Sequence, residues 1–174
     1  MAIETGEFRR LIETHQRMVF SLSLRITGDY ATAEEVAQDV FLALHRSGET
    51  LCSEDHTRFW LRRVTVHRAT DALRRRSIRP ESAAELWRDE QNFEMSGGSS
   101  PVALEARVED MLGLLPETLR GAILLRYQED MLPDEIALML GQPVATVKTH
   151  LRRGLELLRR KAAVPLKEFV RGTV

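Results

Sequence analysis

The sequence has little of what marks secreted or membrane-spanning proteins. Its 174 residues include a single cysteine, Cys52, which excludes an internal disulfide and is typical of a protein in a reducing cytosol. It has no run of roughly 18 apolar residues, the minimum for a membrane span. The N-terminal stretch MAIETGEFRRLIETHQ is acidic and amphipathic, unlike a secretory signal. We therefore expect a cytoplasmic protein that does not insert into the membrane.

Motifs for catalysis and cofactor binding are missing as well. Neither a glycine-rich phosphate loop nor a nucleophile motif is present. Cys52 and His56 have a spacing that metal ligands can have, but two ligands do not form a zinc site and the other histidines are scattered. A redox-sensing role for Cys52 stays open. We expect no enzymatic activity, no cofactor, no metal and no small-molecule substrate.

Strand patterns are nearly absent, and apolar residues recur instead at helical spacing. The pattern predicts an all-α fold of two small helical domains joined by a flexible acidic linker, the second a four-helix unit with a helix-turn-helix. Gly28 and Asp29 are expected to end the first helix and to cap the second. The predicted helices span residues 3–26, 30–46, 56–77, 102–115, 116–128, 134–140 and 144–161.

The linker is predicted from a change in composition between residues 80 and 101. PESAAELWRDEQNFEMSGGSSP is acidic, rich in serine and glycine, and bounded by prolines, which is typical of a segment between domains. It divides the chain into domains of residues 1–79 and 102–174. Trp87 and Phe93 are unusual in a passive spacer. They either pack on a neighbouring domain or contact a partner.

The net charge of −1 hides two strongly basic segments. Residues 58–79 carry eight arginines against Asp71, and residues 148–161 carry six basic side chains against Glu156. The segments between and around them are mostly acidic. This alternation indicates two local contacts with anions rather than a generally cationic surface.

The second basic segment lies in a pattern typical of a helix-turn-helix. Ala137 is small enough for two helices to cross closely, Gly141 tolerates the turn, and Val147 and Leu151 anchor the second helix. With that seam buried, a short cationic set suited to a DNA major groove projects outward. A helical hairpin with a solvated basic face is the alternative. The predicted outward set is Ala145, Thr146, Lys148, Thr149, Arg152 and Arg153.

The first basic segment, TRFWLRRVTVHRATDALRRRSIRP, mixes apolar residues with its arginines without forming one clean stripe. A helix that contacts solvent on one side only segregates better. We expect it to pack on its own domain and also to touch a second large body. Aromatic and arginine side chains mixed in this way suit single-stranded nucleic acid. Arginines chosen only for helix propensity are the alternative.

Nearly the whole chain resembles the sigma-70 family, specifically its small extracytoplasmic-function (ECF) subgroup. The first domain carries the resemblance in LRITGDYATAEEVAQDVFLALHR and RFWLRRVTVHRATDALRRR. The second carries it in LLPETLRGAILLRYQEDMLPDEIALMLGQPVATVKTHLRRGLELLRR. The resemblance implies a subunit that binds core RNA polymerase and directs it to promoters, often under an anti-sigma factor that is commonly membrane-anchored.

The resemblance also implies roles for particular residues. The helix-turn-helix would hold the −35 promoter element, and the apolar face of the second domain would grip the polymerase flap. The set expected to read and melt the −10 element is Trp60, Arg63, His67, Arg68, Arg74 and Arg75. The set expected to dock on the clamp coiled coil of core polymerase is Glu35, Gln38, Asp39 and Leu42.

The chain departs from the family pattern at two places. His67 stands where the family often has asparagine in the −10-reading helix. Before the helix-turn-helix, Asp130 and Leu132 replace the usual glycine and serine and are followed by Pro133. Losing the hydroxyl cap should weaken this helix start by roughly 1 kcal/mol.

Two other functions remain compatible with the sequence. A dimeric helix-turn-helix repressor would need a self-association surface and would bind duplex DNA tightly by itself. A helical interaction protein would bind no DNA at all, and its charges would be solvated.

Overall fold

The structure is a computed structural model that describes residues 5–47, 53–78 and 108–171. Within these ranges every regular element is an α-helix, so the predicted all-α class is confirmed. The predicted linker with Trp87 and Phe93, and also Cys52, lie outside the described residues.

The first three helices form one unit: α1 (Thr5–Thr27), α2 (Tyr30–Ser47) and α3 (Glu54–Ile78). Each of them packs against the other two. Their interior is filled by large aliphatic side chains, among which Leu22, Ile26, Leu44 and Leu61 are fully buried. Burying a side chain of this kind stabilises a fold by about 1.5–3 kcal/mol. The apolar residues that recur at helical spacing in the sequence are therefore the ones that fill this core.

The boundary between α1 and α2 is as the sequence predicts. Gly28 has a φ of 68°, the left-handed conformation that glycine adopts without strain, and its N–H donates to the Leu24 carbonyl at 2.8 Å. Asp29 Oδ2 accepts hydrogen bonds from the backbone N–H of Thr32 at 2.8 Å and from the Thr32 hydroxyl at 2.6 Å. The side chain of Asp29 thus caps α2.

The second unit begins with a helical segment over residues 108–113 and continues with three further helices. These are α4 (Glu117–Tyr127), α5 (Pro133–Leu140) and α6 (Val144–Arg171). In α4 every residue from 119 to 125 is buried. A helix that is buried all around must be covered on all sides. Its neighbours are α5 and α6 from its own unit and α1 and α3 from the first unit.

Most helix boundaries lie within two residues of the sequence-based predictions, and the end of α6 is the clear departure. Pro116 immediately precedes α4 instead of forming its first residue, whereas α6 begins at Val144 as predicted. α6 continues to Arg171, ten residues past its predicted end. Lys161, Ala162 and Ala163 have high helix propensity, which explains why the helix passes residue 161. It also continues past Pro165, a residue that removes one backbone hydrogen bond from a helix interior.

A capping box has two hydrogen bonds, and the turn before α5 has one of them. Leu132 offers no side-chain acceptor, but its backbone N–H donates to Glu135 Oε2 at 2.7 Å. Asp130 has a φ of 53°, so it adopts the left-handed conformation of the glycine that it replaces. The departure from the family pattern therefore leaves the start of α5 in place.

The two units are in direct contact, because α3 packs on α4 and α5 in addition to α1 and α2. This explains the mixed pattern of α3, whose apolar and cationic residues serve two packing faces and a solvent face. The second large body that the sequence predicted beside this helix includes the second half of the chain itself.

We predict that Asp29→Ala lowers the free energy of unfolding by about 0.5–2 kcal/mol at neutral pH, because the N-cap acceptor is lost. The hydrogen bonds from Thr32 hold the pKa of Asp29 below its usual range, and the nearby Arg76 guanidinium lowers it further. The stabilisation is therefore present above the unfolded pKa of about 3.9 and is lost as the pH falls through the folded pKa. Urea unfolding at a series of pH values measures both effects.

The matched control is Asp29→Asn, which keeps the side-chain oxygen but does not titrate. It should retain most of the stability at neutral pH and lose the Asp29 contribution to acid sensitivity. A wild-type stability for Asp29→Ala at neutral pH would contradict the capping role.

Candidate nucleic-acid interface

α5 and α6 form the helix-turn-helix that the sequence predicts. Gly141 connects them with a φ of 63°, and the Gln142 N–H donates to the Ala137 carbonyl at 3.0 Å. Ala137, Val147 and Leu151 are buried where the two helices cross. Of the remaining predicted seam, Ile136 is buried. Leu140, Leu155 and Leu158 are only partly buried.

A second close crossing, between α6 and α4, was not predicted from the sequence. A Cβ atom at Gly154 would lie 2.8 Å from Ile123 Cγ1. A larger residue at this position would force the Ile123 side chain to move, so glycine allows the close approach of α6 to α4. Gly154 within the run LRRGLELLRR was the one feature of the sequence that could have indicated this crossing.

Four of the six residues predicted to project outward from α6 are exposed. Ala145, Lys148, Arg152 and Arg153 are exposed. Thr146 and Thr149 are partly buried, and the Thr149 hydroxyl donates to the Ala145 carbonyl at 2.9 Å within the helix. Within the described ranges no carboxylate forms an ion pair with the three basic side chains. Their charges are therefore available to an anion.

The set expected to contact the −10 element lies along α3, but its members differ in their surroundings. Arg63 and His67 are exposed one turn apart. Arg75 is exposed and donates from Nε to the Asp71 carbonyl at 3.3 Å. Trp60 packs, partly buried, against the hydrophobic core.

Two arginines of this set are paired with acids. Arg68 Nη1 lies 3.2 Å from Asp39 Oδ2 on α2. Arg74 lies 3.8 Å from Asp71 Oδ1 and 3.4 Å from Glu117 Oε1 on α4. The structure therefore joins Arg68 to the predicted polymerase-docking set and Arg74 to the second unit. Both pairs are partly exposed, so each contributes at most about 1 kcal/mol.

The predicted docking set forms one exposed face of α2. Gln38 and Asp39 each lie three or four residues from Glu35 on one side and from Leu42 on the other, so the four share one side of the helix. Leu42 is 49% exposed, so this otherwise polar face includes one apolar side chain.

An apolar groove of about 300 Å³ lies along the second unit. It is bounded on one side by Arg25 of α1 and by Gln128, which follows α4. A partner helix with an apolar face would fit such a groove. The apolar lining consists of Val108, Leu112, Ile123, Leu124, Tyr127, Leu155 and Leu158.

Sequence reasoning missed the residues that join the two units. Arg120 is 7% exposed and donates to the backbone carbonyls of Ile26, Gly113 and Leu115. Burial lowers the pKa of the Arg120 guanidinium, and the nearby Glu117 opposes that shift. Arg62 and Glu129 form an ion pair with 2.7 Å between Nε and Oε2. The only sign of these contacts in the sequence was Arg120 itself, a single arginine within the apolar run of α4.

Two further searches concern membrane and metal binding. Among the described helices, none has a stretch long and apolar enough to cross a membrane. The described side chains also include no group of three or more potential metal ligands.

Two family models match the chain. Residues 11–78 match Sigma-70 region 2, and residues 105–158 match Sigma-70, region 4. The two matches fall on the first unit and on the second.

Curated relatives match along most of the chain. The RNA polymerase sigma-H factor of Pseudomonas aeruginosa is 29% identical over 169 residues, covering 91% of this chain and 87% of that protein. The ECF RNA polymerase sigma-E factor of Haemophilus influenzae is 29% identical over 164 residues, covering 88% and 86%. The ECF RNA polymerase sigma factor SigW of Bacillus subtilis is 26% identical over 164 residues, covering 88% of each.

Solved structures share the fold. CnrH in complex with the cytosolic domain of CnrY has a TM-score of 0.64 at 22% identity, covering 92% of this chain and 90% of that one. The sigma factor RpoE in complex with the anti-sigma factor NepR, from Bartonella quintana, has a TM-score of 0.65 at 16% identity, covering 92% and 99%. Because family models match both sigma-70 regions in order and ECF sigma factors match along most of the chain, the chain belongs to the sigma-70 family, in its ECF subgroup.

Proposed function

We propose that this chain is an ECF sigma factor that binds core RNA polymerase, directs it to specific promoters and initiates DNA-templated transcription. The observation that carries the proposal is the presence of two separate cationic helix faces, on α3 and α6, in a chain that contains both sigma-70 regions. In this function the protein is a specificity factor rather than an enzyme, and it acts in the cytoplasm, where polymerase and promoters are.

The exposed face of α6 is proposed to hold the −35 element. Lys148, Arg152 and Arg153 can pair with phosphates or with guanine edges in the major groove. Ala145 presents a methyl group that a thymine methyl can contact, and Thr146 and Thr149 lie beside it. Since Gly141 and the buried Ala137 fix the crossing of α5 and α6, the exposed face is presented by a rigid pair of helices.

The exposed face of α3 is proposed to contact the −10 element. Arg63, His67 and Arg75 can approach the DNA backbone and unstacked bases. Trp60, Arg68 and Arg74 belong to the same proposed set, although each already contacts another part of the protein. The region of residues 1–79 would then serve the −10 element and residues 102–174 the −35 element, with the linker of residues 80–101 between them.

Polymerase would contact two surfaces. The face of Glu35, Gln38, Asp39 and Leu42 on α2 is proposed to dock on the clamp coiled coil. The apolar groove of the second unit is proposed to take the flap, because its lining offers an apolar surface to a helix.

Regulation by an anti-sigma factor is part of the proposal. The similar RpoE structure contains the anti-sigma factor NepR, and the CnrH structure contains the cytosolic domain of CnrY. An anti-sigma factor anchored in the membrane would hold this protein at the inner membrane face until a signal releases it.

We predict that core RNA polymerase produces promoter-dependent run-off transcripts only when this protein is added. Each DNA-binding face is small, so the protein alone should bind promoter DNA weakly, with polymerase joining the two contacts. A palindromic footprint by the protein alone, without a transcript on adding polymerase, would instead support the dimeric repressor. No DNA binding and no transcript would support the interaction protein.

We predict that Arg152→Ala weakens holoenzyme binding at a −35-dependent promoter by about 1–3 kcal/mol, or about 5- to 150-fold, because a contact to phosphate or guanine is lost. Filter binding or run-off titration measures the change. Arg160→Ala is the control, because Arg160 is also exposed on α6 but lies about two turns away from Arg152. Equal binding by Arg152→Ala and wild type would remove Arg152 from the contact set.

We predict that Asp39→Arg reduces the capture of core polymerase in a pull-down without DNA, while helix content and unfolding temperature stay near wild type. The reversed charge stands on the proposed docking face, where it repels a partner that accepts a carboxylate. Glu13→Arg, an exposed reversal on α1, is the control. Undiminished capture by Asp39→Arg would count against the docking face.

A further inference from the structure

We infer that Asp71 on α3 selects a base-paired cytosine in the −10 element, by accepting a hydrogen bond from the exocyclic amino group of that base. Asp71 is the only acidic residue in the basic segment of residues 58–79, and neither the proposed DNA contacts nor the proposed polymerase contacts include it. This role rests on the proposed function, because it gives a base preference to the face of α3 that is proposed to contact the −10 element.

Asp71 lies within the exposed face of α3. Arg63, His67, Asp71 and Arg75 follow one another at intervals of four residues, so they lie along one side of the helix. All four are exposed. One helical turn is about 5.4 Å long, so His67 and Arg75 each lie about one turn from Asp71. DNA that contacts both His67 and Arg75 therefore also passes the carboxylate between them.

The contacts of Asp71 within the protein leave its carboxylate accessible. Arg74 Nη1 lies 3.8 Å from Asp71 Oδ1, which is beyond hydrogen-bond distance. The side chains of Asp71 and Arg74 are 62% and 56% exposed, and a pair this open contributes little to stability. Arg75 Nε donates to the backbone carbonyl of Asp71 at 3.3 Å, a contact that does not involve the carboxylate. Ion pairing within α3 therefore does not explain why an acid stands here.

A carboxylate on this face weakens DNA binding unless it meets a donor. The arginines beside Asp71 attract phosphates, whereas Asp71 repels them. Phosphate oxygens are acceptors, so the N–H groups of the bases are what DNA offers to a carboxylate. Asp71 is therefore suited to a base edge, while the neighbouring arginines are suited to the DNA backbone.

The major groove is the part of duplex DNA in which α3 can present this carboxylate. α3 is one uninterrupted helix of 25 residues, and the major groove admits an α-helix. In a base pair, the donors of guanine that face its partner are already used. The amino groups of cytosine and adenine keep one N–H that points into the major groove.

The groups beside these amino donors favour cytosine. Guanine presents two acceptors in the major groove, and thymine presents an acceptor and a methyl group, so neither can donate to Asp71. Adenine presents its amino donor next to the N7 acceptor, which repels a carboxylate. The N4 amino group of cytosine has no acceptor next to it in this groove. A carboxylate therefore prefers cytosine to the other three bases.

The amide side chain of asparagine gives a different preference at the same position. Asparagine offers both an acceptor and a donor, and it pairs with N6 and N7 of adenine. Asp71→Asn should therefore move the preference from cytosine toward adenine. Asp71→Ala, which removes every polar group of the side chain, should lose the cytosine preference without gaining one for adenine.

The test is run-off transcription by core polymerase with each form of the protein. The templates are a library in which each position of the −10 element carries each of the four bases in turn. We predict that the wild-type protein prefers cytosine at one position, and that Asp71→Ala lowers this preference about tenfold, as the loss of one base contact does. Preferences at the other positions should stay as in wild type.

Asp55→Asn is the matched control. Asp55 is also exposed on α3, but it lies in the first turn, about 24 Å from Asp71 along the helix axis. The control makes the same chemical change on the same helix, and it should keep the wild-type preference at every position. Because both aspartates are exposed, helix content measured by circular dichroism should match wild type in all variants.

Three results would overturn the role of Asp71. The first is a wild-type protein without a cytosine preference, or with one that Asp71→Ala retains. The second is an equal gain in transcription by Asp71→Ala on every template, which would show that Asp71 only repels phosphates. The third is an equal loss on every template, which would show that Asp71 only positions the arginines beside it.

The wild-type protein separates this inference from the proposed function. If it produces no promoter-dependent transcript with core polymerase, the sigma function is wrong and the role of Asp71 is wrong with it. If it produces transcripts and the Asp71 variants keep the wild-type base preferences, only the role of Asp71 is wrong.

Discussion

The arrangement of the described helices depends on the hydrogen bonds that the buried guanidinium of Arg120 donates to three backbone carbonyls. A charge removed from water must be surrounded by hydrogen-bond acceptors, and one half of the chain supplies only two of the three carbonyls. The third comes from Ile26, at the end of α1. Because α4 is buried from residue 119 to residue 125, the same helix forms the core of its own unit and the contact with the other. The two sigma-70 regions therefore share one helix as a packing partner.

Much of the fold could be predicted because its signals are local. Helical periodicity placed α1, α2 and α3 within a few residues, and Gly28 with Asp29 marked the boundary that the structure shows. Gly141 and Ala137 indicated the helix-turn-helix for the same reason, since a turn and a close crossing each require a particular residue type. Once the buried residues of α6 were predicted, the residues on the opposite side of the helix were the ones expected to be exposed. Such features need no knowledge of distant parts of the chain.

The contacts between the units could not be predicted, because they join residues far apart in sequence. Arg62 and Glu129 are 67 residues apart, and Arg120 and Ile26 are 94 residues apart. Neither pair follows a helical spacing, so periodicity carries no information about it. The uneven pattern of α3 did indicate a second packing surface, but it suited nucleic acid as well as protein. The ion pairs of Arg68 with Asp39 and of Arg74 with Glu117 were hidden for the same reason.

The pairing of arginines with acids gives a physical meaning to the net charge of −1. Asp39 of the proposed docking face holds Arg68, and Glu117 and Glu129 of the second unit contact Arg74 and Arg62. Asp39 also lies on the face of α2 that is proposed to dock on polymerase. Docking on polymerase would therefore compete with Arg68 for the Asp39 carboxylate and leave this guanidinium available to DNA. Promoter affinity would then depend on assembly, since the same charges cannot pair with a carboxylate and a phosphate at once.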